Sequence, residues 1–315
     1  MWRKILRENF TQIGELCTFL KLNPTQCKQV IERPPFTFSL PRRLAHKIEK
    51  GTLDDPLFRQ FVPLEQENIY SEEFVKNPVG DQEARITPSV LKKYQNRALL
   101  ISTSACAMHC RYCFRRHFSY PAPEYDLRAI REDSDLNEII LSGGDPLSLN
   151  NDRLQNLLEE LAAIPHIRRV RFHTRFPIGI PERIDAVFLR LLQETRLSIW
   201  FVVHINHARE LDLVVLERLA EVRRLGIPVL NQSVLLRGVN DSVAVLQELF
   251  ETLVDNGIIP YYLHQLDKVE GASHFEVSEE RGLAIMAELA KRLSGYALPR
   301  YMREEAGLAH KTVIT

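Results

Sequence analysis

The stretch Ala98-Leu99-Leu100-Ile101-Ser102-Thr103-Ser104-Ala105-Cys106-Ala107-Met108-His109-Cys110-Arg111-Tyr112-Cys113 decides how the rest of the chain reads. Its first six residues are an apolar run of strand length. The run then breaks into a polar segment that places three cysteines within eight positions, in the pattern C-x3-C-x2-C. A strand that delivers a cluster of soft ligands at its C-terminal end is the signature of an α/β ligand site.

Downstream, the same rhythm repeats. After Ala98–Thr103, strand-like runs recur at 138–142, 169–173, 197–204, 228–235 and 259–266. Helical periods lie between and after them at 152–164, 181–194, 209–225, 242–256 and 278–294, and a further helix is expected between 105 and 137. Strands alternating with helices imply parallel βαβ units with right-handed crossovers. The fold class is therefore α/β, and six units suit a partial (β/α)6 TIM-like barrel, with an open doubly wound sheet as the alternative. In both, ligands sit at the C-terminal ends of the strands.

Upstream, the character changes. Residues 1–60 read as an N-terminal helical segment broken by Pro24, Pro34, Pro35 and Pro41. Residues 61–97 are polar and irregular, with Pro63, Pro78, Gly80 and Pro88, and read as a connecting segment to the core of 98–315.

Composition narrows the function. The 315 residues are 45% hydrophobic, enough for a large core. With 41 Lys+Arg against 41 Asp+Glu, the basic excess of a general nucleic-acid or anionic-membrane binder is missing. No run reaches the roughly 18 apolar residues of a membrane span. Met1-Trp2-Arg3-Lys4 starts basic but leads into no secretory apolar region, so a cytoplasmic location is expected. Five cysteines in so long a chain are not a secreted disulfide framework.

Cys106, Cys110 and Cys113 suit iron–sulfur or zinc ligation. A structural zinc takes four ligands, and the fourth would have to be His109, His117, Cys17 or Cys27. A cubane cluster on three thiolates instead leaves one iron open for a chelating small molecule. The bland alternative is a helix: spacings of four and three put the three cysteines on one helical face as small core residues. His109, Arg111, Arg115, Arg116 and His117 argue against burying that face.

Other polar groups gather at strand ends. Ser142-Gly143-Gly144-Asp145-Pro146 follows the second run, where bare glycines permit close approach of a ligand and Asp145 or the carbonyls can accept from an ammonium; a tight turn is the competing reading. Arg175 follows the third run, His204-Ile205-Asn206-His207 closes the fourth, and Asn231-Gln232-Ser233 interrupts the fifth. Polar groups inside an apolar barrel need partners, and these sit on the ligand face.

The C-x3-C-x2-C pattern, with Tyr112 before its last cysteine, resembles the radical S-adenosyl-L-methionine (SAM) superfamily. That resemblance implies a [4Fe-4S] cluster on Cys106, Cys110 and Cys113, whose open iron binds SAM, and reductive cleavage of SAM to a 5′-deoxyadenosyl radical. It places Tyr112, Ser142, Gly143, Gly144, Asp145, His204 and Gln232 around SAM.

Lys93-Tyr94-Gln95-Asn96-Arg97, Cys113-Phe114-Arg115-Arg116, Asn231-Gln232-Ser233-Val234-Leu235-Leu236, Pro260-Tyr261-Tyr262 and Gly295-Tyr296 narrow the resemblance. Together they are similar to the pyridoxal 5′-phosphate (PLP)-dependent lysine 2,3-aminomutases, within that branch most of all to the bacterial form that supplies (R)-β-lysine for modification of elongation factor P. The similarity runs from about residue 40 to residue 311. It implies an isomerase acting on L-lysine, an external electron donor for the cluster, and Lys311 as the residue that carries PLP. The glycines that precede this lysine in the family are largely replaced in Gly307-Leu308-Ala309-His310-Lys311. Arg97 aligns with a PLP-phosphate contact and Arg115 with the arginine that pairs the substrate carboxylate, both suited to a planar guanidinium. Asp267 and Glu304 align with the two acids around the substrate's side-chain ammonium, whose burial without such partners is costly. Larger members hold a structural zinc with a cysteine where this chain has Ser242, so no zinc is expected, and a homo-oligomer is left open. Two other readings remain: a radical SAM enzyme without PLP, and a non-catalytic iron–sulfur redox sensor.

Overall fold

The computed structural model describes residues 1–121 and 125–315. Ten strands form one sheet in the order of the chain: β1 Arg85–Thr87, β2 Val90–Tyr94, β3 Arg97–Thr103, β4 Glu138–Gly143, β5 Arg169–Thr174, β6 Ser198–His204, β7 Val229–Val234, β8 Ile259–His264, β9 Arg300–Arg303 and β10 Thr312–Val313. From β3 to β9 every neighbouring pair is parallel. The β1–β2 and β2–β3 pairs at one edge and β9–β10 at the other are antiparallel. The first and last strands are not paired with each other among the described residues, yet Tyr94 of β2 reaches Glu304 just past β9 at 3.0 Å, so the sheet curls as an open, partial barrel. The six expected strands are β3 to β8. The four edge strands were not expected: β1 and β2 lie in the segment read as irregular, and β10 is two residues long.

The crossover helices start where a side chain caps them. Asn150, Asp185, Asp212, Ser242 and Ser278 each accept from a backbone N–H in the first turn of helices Asn151–Ala162, Ala186–Glu194, Leu213–Arg224, Val243–Asp255 and Glu279–Ala290. These caps explain the shifted boundaries. The helix expected from 181 begins at Ala186 because Asp185 caps it, and Pro181–Arg183 is a separate 3-10 turn. The helix expected from 209 begins at Leu213, past a 3-10 turn at Ala208–Glu210 that His207 and Glu210 close reciprocally. The expected helix between 105 and 137 is the short Arg128–Glu132. The cysteine segment itself is turns and irregular backbone, which removes the reading of three cysteines on a helical face.

Residues of the N-terminal segment share one apolar core with the barrel. Trp2, Phe10, Leu16, Leu40, Leu44, Phe58 and Phe61 belong to the same buried cluster as Phe172, Phe201 and Leu263. Trp2 meets Phe176 edge to face at 5.5 Å, which fastens the start of the chain just past β5. A smaller cluster of Phe74, Tyr112, Leu236, Val239, Leu266, Val269, Ala272 and Phe275 covers the C-terminal ends of the strands beside the cysteine loop. Among the described residues no helix is long and apolar enough to cross a membrane.

Candidate active site

The cysteine loop has no regular secondary structure, so its backbone depends on partners elsewhere. The N-terminal segment supplies them. Asn9 donates to the Ala107 carbonyl at 2.7 Å, the His109 N–H reaches Ser39 O at 3.2 Å, and the Arg111 N–H reaches Gln60 O at 2.8 Å. Arg111 is fully buried and meets Glu67 through two 2.7 Å bonds, while Arg116 adds a third at 2.6 Å. This planar, bidentate pairing is what makes a buried guanidinium tolerable. The two basic neighbours of the cysteines are thus anchors of the loop.

All fifteen residues expected at the site line one cavity of about 310 Å³. This volume lies at the lower end of small-molecule sites. Cys106, Cys110 and Cys113 are on its wall as free thiols. Burial pushes the Cys106 thiol up, with Asp145 and the other two cysteines adding to it, and burial and Cys110 push Cys113 up to about 11. Cys106 and Cys113, raised in this way, need positive charge to become thiolates.

The structure gives several expected ligand contacts a different task. Gly143 has φ +108°, and a Cβ there would stand 2.8 Å from the Thr103 carbonyl. A Cβ on Gly144 would stand 2.4 Å from the Ala105 carbonyl. The glycines are therefore required by the chain's own backbone at the base of the cysteine loop, which they lock through Gly144 N to Thr103 O at 2.7 Å and Asp145 N to Ala105 O at 2.8 Å. Either Asp145 or the loop carbonyls were expected to accept from a ligand's ammonium. The Asp145 carboxylate already accepts from Leu147 N, Thr174 Oγ1, Arg175 N and Phe176 N at 2.7–3.0 Å, so it ties the β4 loop to the end of β5 instead. Tyr112 is also occupied: its hydroxyl meets His204 Nε2 at 2.8 Å and receives Asn206 Nδ2 at 2.6 Å. Burial, then Arg175 and His264, keep His204 neutral well below its ordinary pKa.

The open seam between the two sheet edges carries the charged residues. Lys311, beside β10, pairs with Glu304. Glu304 also accepts from Tyr94 at 3.0 Å and pairs with Lys93 at 3.4 Å. Lys93 continues to Asp81 at 2.8 Å, and Asp81 receives Arg115 Nε at 2.7 Å. Burial works to raise both Glu304 and Asp81, yet Lys311 and Lys93 hold the first, and Arg115 and Lys93 the second, below the usual carboxylate range. Asp267 stands apart. Its carboxylate has no hydrogen-bond or ion-pair partner among the described residues, and burial lifts it to about 6 against the pull of Lys311. Arg115 also reaches Ser142 Oγ at 3.2 Å. Arg97, the first residue of β3, has its guanidinium 4.1 Å over the Tyr94 ring. It lies six residues before the strand's end, so roughly 20 Å of strand separates it from the cysteine loop.

Among the titratable residues of the cavity, His173, His264 and Asp81 were not expected, and Lys93 had been quoted only within a motif. His173 Nδ1 meets Gln232 Nε2 at 3.3 Å, but its buried Nε2 has no partner. Burial holds both histidines neutral, with Arg171 next for His173 and Lys311 for His264. A polar residue in the last turnings of an apolar strand was the available signal for both. Asp81 had none, since its partners Lys93 and Arg115 are distant in sequence.

No protein-family model matches the chain. Relatives do. The chain is 40% identical to the L-lysine 2,3-aminomutase of Haemophilus influenzae over 99% of its own length and 95% of the relative's. It is 44% identical to the Escherichia coli protein of the same name over 88% of its length and 83% of the relative's. The chain belongs to the L-lysine 2,3-aminomutase family. This is a family of isomerases. Among solved structures, Streptococcus suis SuiB bound to S-adenosylmethionine shares the fold, with a TM-score of 0.50 over 68% of this chain and 51% of that one at 14% identity.

The residues of the cavity fit the groups that the motif resemblance implies. All three thiols lie on one cavity wall, close enough for Cys110 to act electrostatically on both Cys106 and Cys113. Three cysteine sulfurs, with no fourth cysteine among the described residues of that wall, are a donor set that a polynuclear iron–sulfur cluster would take. At the other end, a primary amine, a guanidinium and an unpartnered imidazole nitrogen line the same space, a donor set that suits an aldehyde-bearing phosphate ester.

Proposed function

We propose that the chain converts L-lysine to β-lysine by moving the amino group from C2 to C3, with a [4Fe-4S] cluster, SAM and PLP. One observation carries the reading: Lys311 lies in the cavity of the three cysteines with its ammonium on Glu304 and near Asp267. Glu304, one of the two acids expected to receive the substrate's side-chain ammonium, already receives an alkylammonium, that of the chain's own lysine.

In this reading Cys106, Cys110 and Cys113 hold the cluster, and Lys311 and Arg97 hold PLP. When bound, the cluster and SAM supply hydrogen-atom abstraction, and PLP supplies a conjugated ring that delocalises an unpaired electron. The chain's residues do the rest. Asp267 and Glu304 hold the lysine ammonium, Arg115 takes its carboxylate with the guanidinium edge turned from Asp81, and the apolar cover of Phe74, Leu266 and Phe275 excludes water. Tyr112, Ser142, Gly143, Gly144, His204 and Gln232 shape the SAM end, with Asp145 behind them. The motif resemblance extends the proposal to the R product and to supply of elongation factor P modification, and the cytoplasm expected from the sequence is the proposed compartment. The reductant is an external electron donor.

The test is anaerobic incubation of reconstituted protein with dithionite, SAM, PLP and L-lysine, followed by chiral separation and mass spectrometry. β-Lysine with catalytic SAM use is the expected result. Cleavage of SAM without β-lysine would mean other radical chemistry, and no cleavage by cluster-loaded protein would mean a redox sensor.

A further inference from the structure

A buried cation rests against one of the three cysteines, and the reading above leaves it unused. Arg175, the residue after β5, is 7% exposed, and its Nη1 donates to Cys110 Sγ at 2.8 Å. The same nitrogen donates to the Tyr112 hydroxyl. Nη2 donates to Gln60 Oε1 at 2.6 Å and to Glu210 Oε2 at 2.9 Å. Phe61 lies against the guanidinium, 4.5 Å from ring centre to carbon.

Each partner is itself fixed. Glu210 is fully buried and accepts from the N–H groups of Asn206 and His207 and from Gln60 Nε2 at 3.0–3.1 Å. Gln60 Oε1 also receives Asn206 Nδ2 at 3.0 Å. The guanidinium is therefore clamped from the N-terminal segment, from the loop after β6 and from the cysteine loop. Only a planar fork can meet a sulfur, a phenol, an amide and a carboxylate at once, so lysine would not replace it. A carboxylate and a sulfur are the two groups that make its burial tolerable.

We propose that Arg175 is a positioning residue for the cluster, fixing the Cys110 sulfur and favouring the reduced state by its charge, with Gln60 and Glu210 holding it there. The inference rests on the reading that the three cysteines carry an iron–sulfur cluster. An electron from the external donor adds negative charge to the cluster and forms no bond. A cation hydrogen-bonded to a ligand sulfur stabilises that added charge, and hydrogen bonds to sulfur and net charge are established determinants of cluster potential.

The experiment uses the full chain, reconstituted anaerobically with iron and sulfide. It compares wild type, Arg175→Gln and the double variant Arg175→Gln/Glu210→Gln. Circular dichroism reports folding, iron and sulfide per chain report loading, and an EPR-monitored titration reports the midpoint. Arg175→Gln is expected to shift the one-electron reduction equilibrium against the reduced form about tenfold, which is about 59 mV. The double variant, which leaves no uncompensated buried carboxylate, shifts the same way by less and decides the matter if the single variant does not fold. A folded variant that loads less iron than wild type supports the positioning half. Full loading with an unchanged midpoint in the folded variants overturns the proposal. Failure of wild type to load a cluster overturns the reading of the cysteines, and this proposal with it.

Discussion

Replacing Asp267 with asparagine should make the protein more stable and unable to hold its substrate. Asp267 sits three residues past β8, on the cavity wall, with no side-chain partner among the described residues. Burial lifts its carboxyl from the ordinary 3.8 to about 6. An acid whose folded pKa is raised binds its proton more tightly folded than unfolded. Stability therefore falls as pH rises from about 3.8 to about 6, and the loss is complete above that window. A gap of about two units at 1.36 kcal/mol each corresponds to about 3 kcal/mol at neutral pH, as an upper figure. Asp267→Asn keeps the shape and removes the charge, so urea unfolding at pH 7.5 should show a gain of up to that size. At pH 4 the gain should shrink towards zero. L-Lysine should behave oppositely. With PLP present it should stabilise wild type, by about 2.7 kcal/mol at one hundred times its Kd. The variant should bind it at least one hundred-fold more weakly, since a buried ammonium deprived of one partner costs about 3 kcal/mol or more. Equal or lower stability of Asp267→Asn at pH 7.5 would refute the reasoning, because it would mean that Lys311 already makes the ionised carboxylate favourable.

Three further outcomes follow from the geometry. Lys311→Ala should abolish the PLP absorbance of the purified protein while leaving iron per chain unchanged; a PLP band that survives would reassign the lysine. Gly144→Ala puts a methyl 2.4 Å from the Ala105 carbonyl, so it should cost about 1–3 kcal/mol in denaturant unfolding and slow SAM cleavage more than it weakens PLP binding. Glu67→Gln strips a carboxylate from two buried arginines and should destabilise by about 3–5 kcal/mol with loss of iron uptake, whereas unaltered uptake in a folded sample would mean the cysteine loop holds its shape unaided.

How much of this was legible in the sequence depended on whether the deciding interaction was local. The parallel strands β3 to β8 were, because each is an apolar run bounded by its own turn signals. β1, β2, β9 and β10 were not: short edge strands take their identity from a neighbour, and Thr312–Val313 is a strand only because Met302 and Arg303 lie beside it. The same division runs through the site. C-x3-C-x2-C is written in eight consecutive residues, so the cysteines could be read directly. Lys311, Glu304, Asp267 and Arg97 came from family resemblance, and nothing near them in the chain marks them. Asp145 shows the limit from the other side. Its place after a strand in a glycine loop was visible, but the four donors that fill its carboxylate come from residues 147 and 174–176, a set that only the folded β4–β5 junction assembles. Arg175 lies further beyond reach, since Gln60, Cys110 and Glu210 meet it across 115, 65 and 35 positions of sequence. What a residue is can be read where it stands; whether its polar atoms remain free for a ligand is settled by contacts that the chain makes only on closing. This is why the sequence could point to the ligand face of the barrel and yet leave open whether Asp145 or the carbonyls beside it would face a ligand.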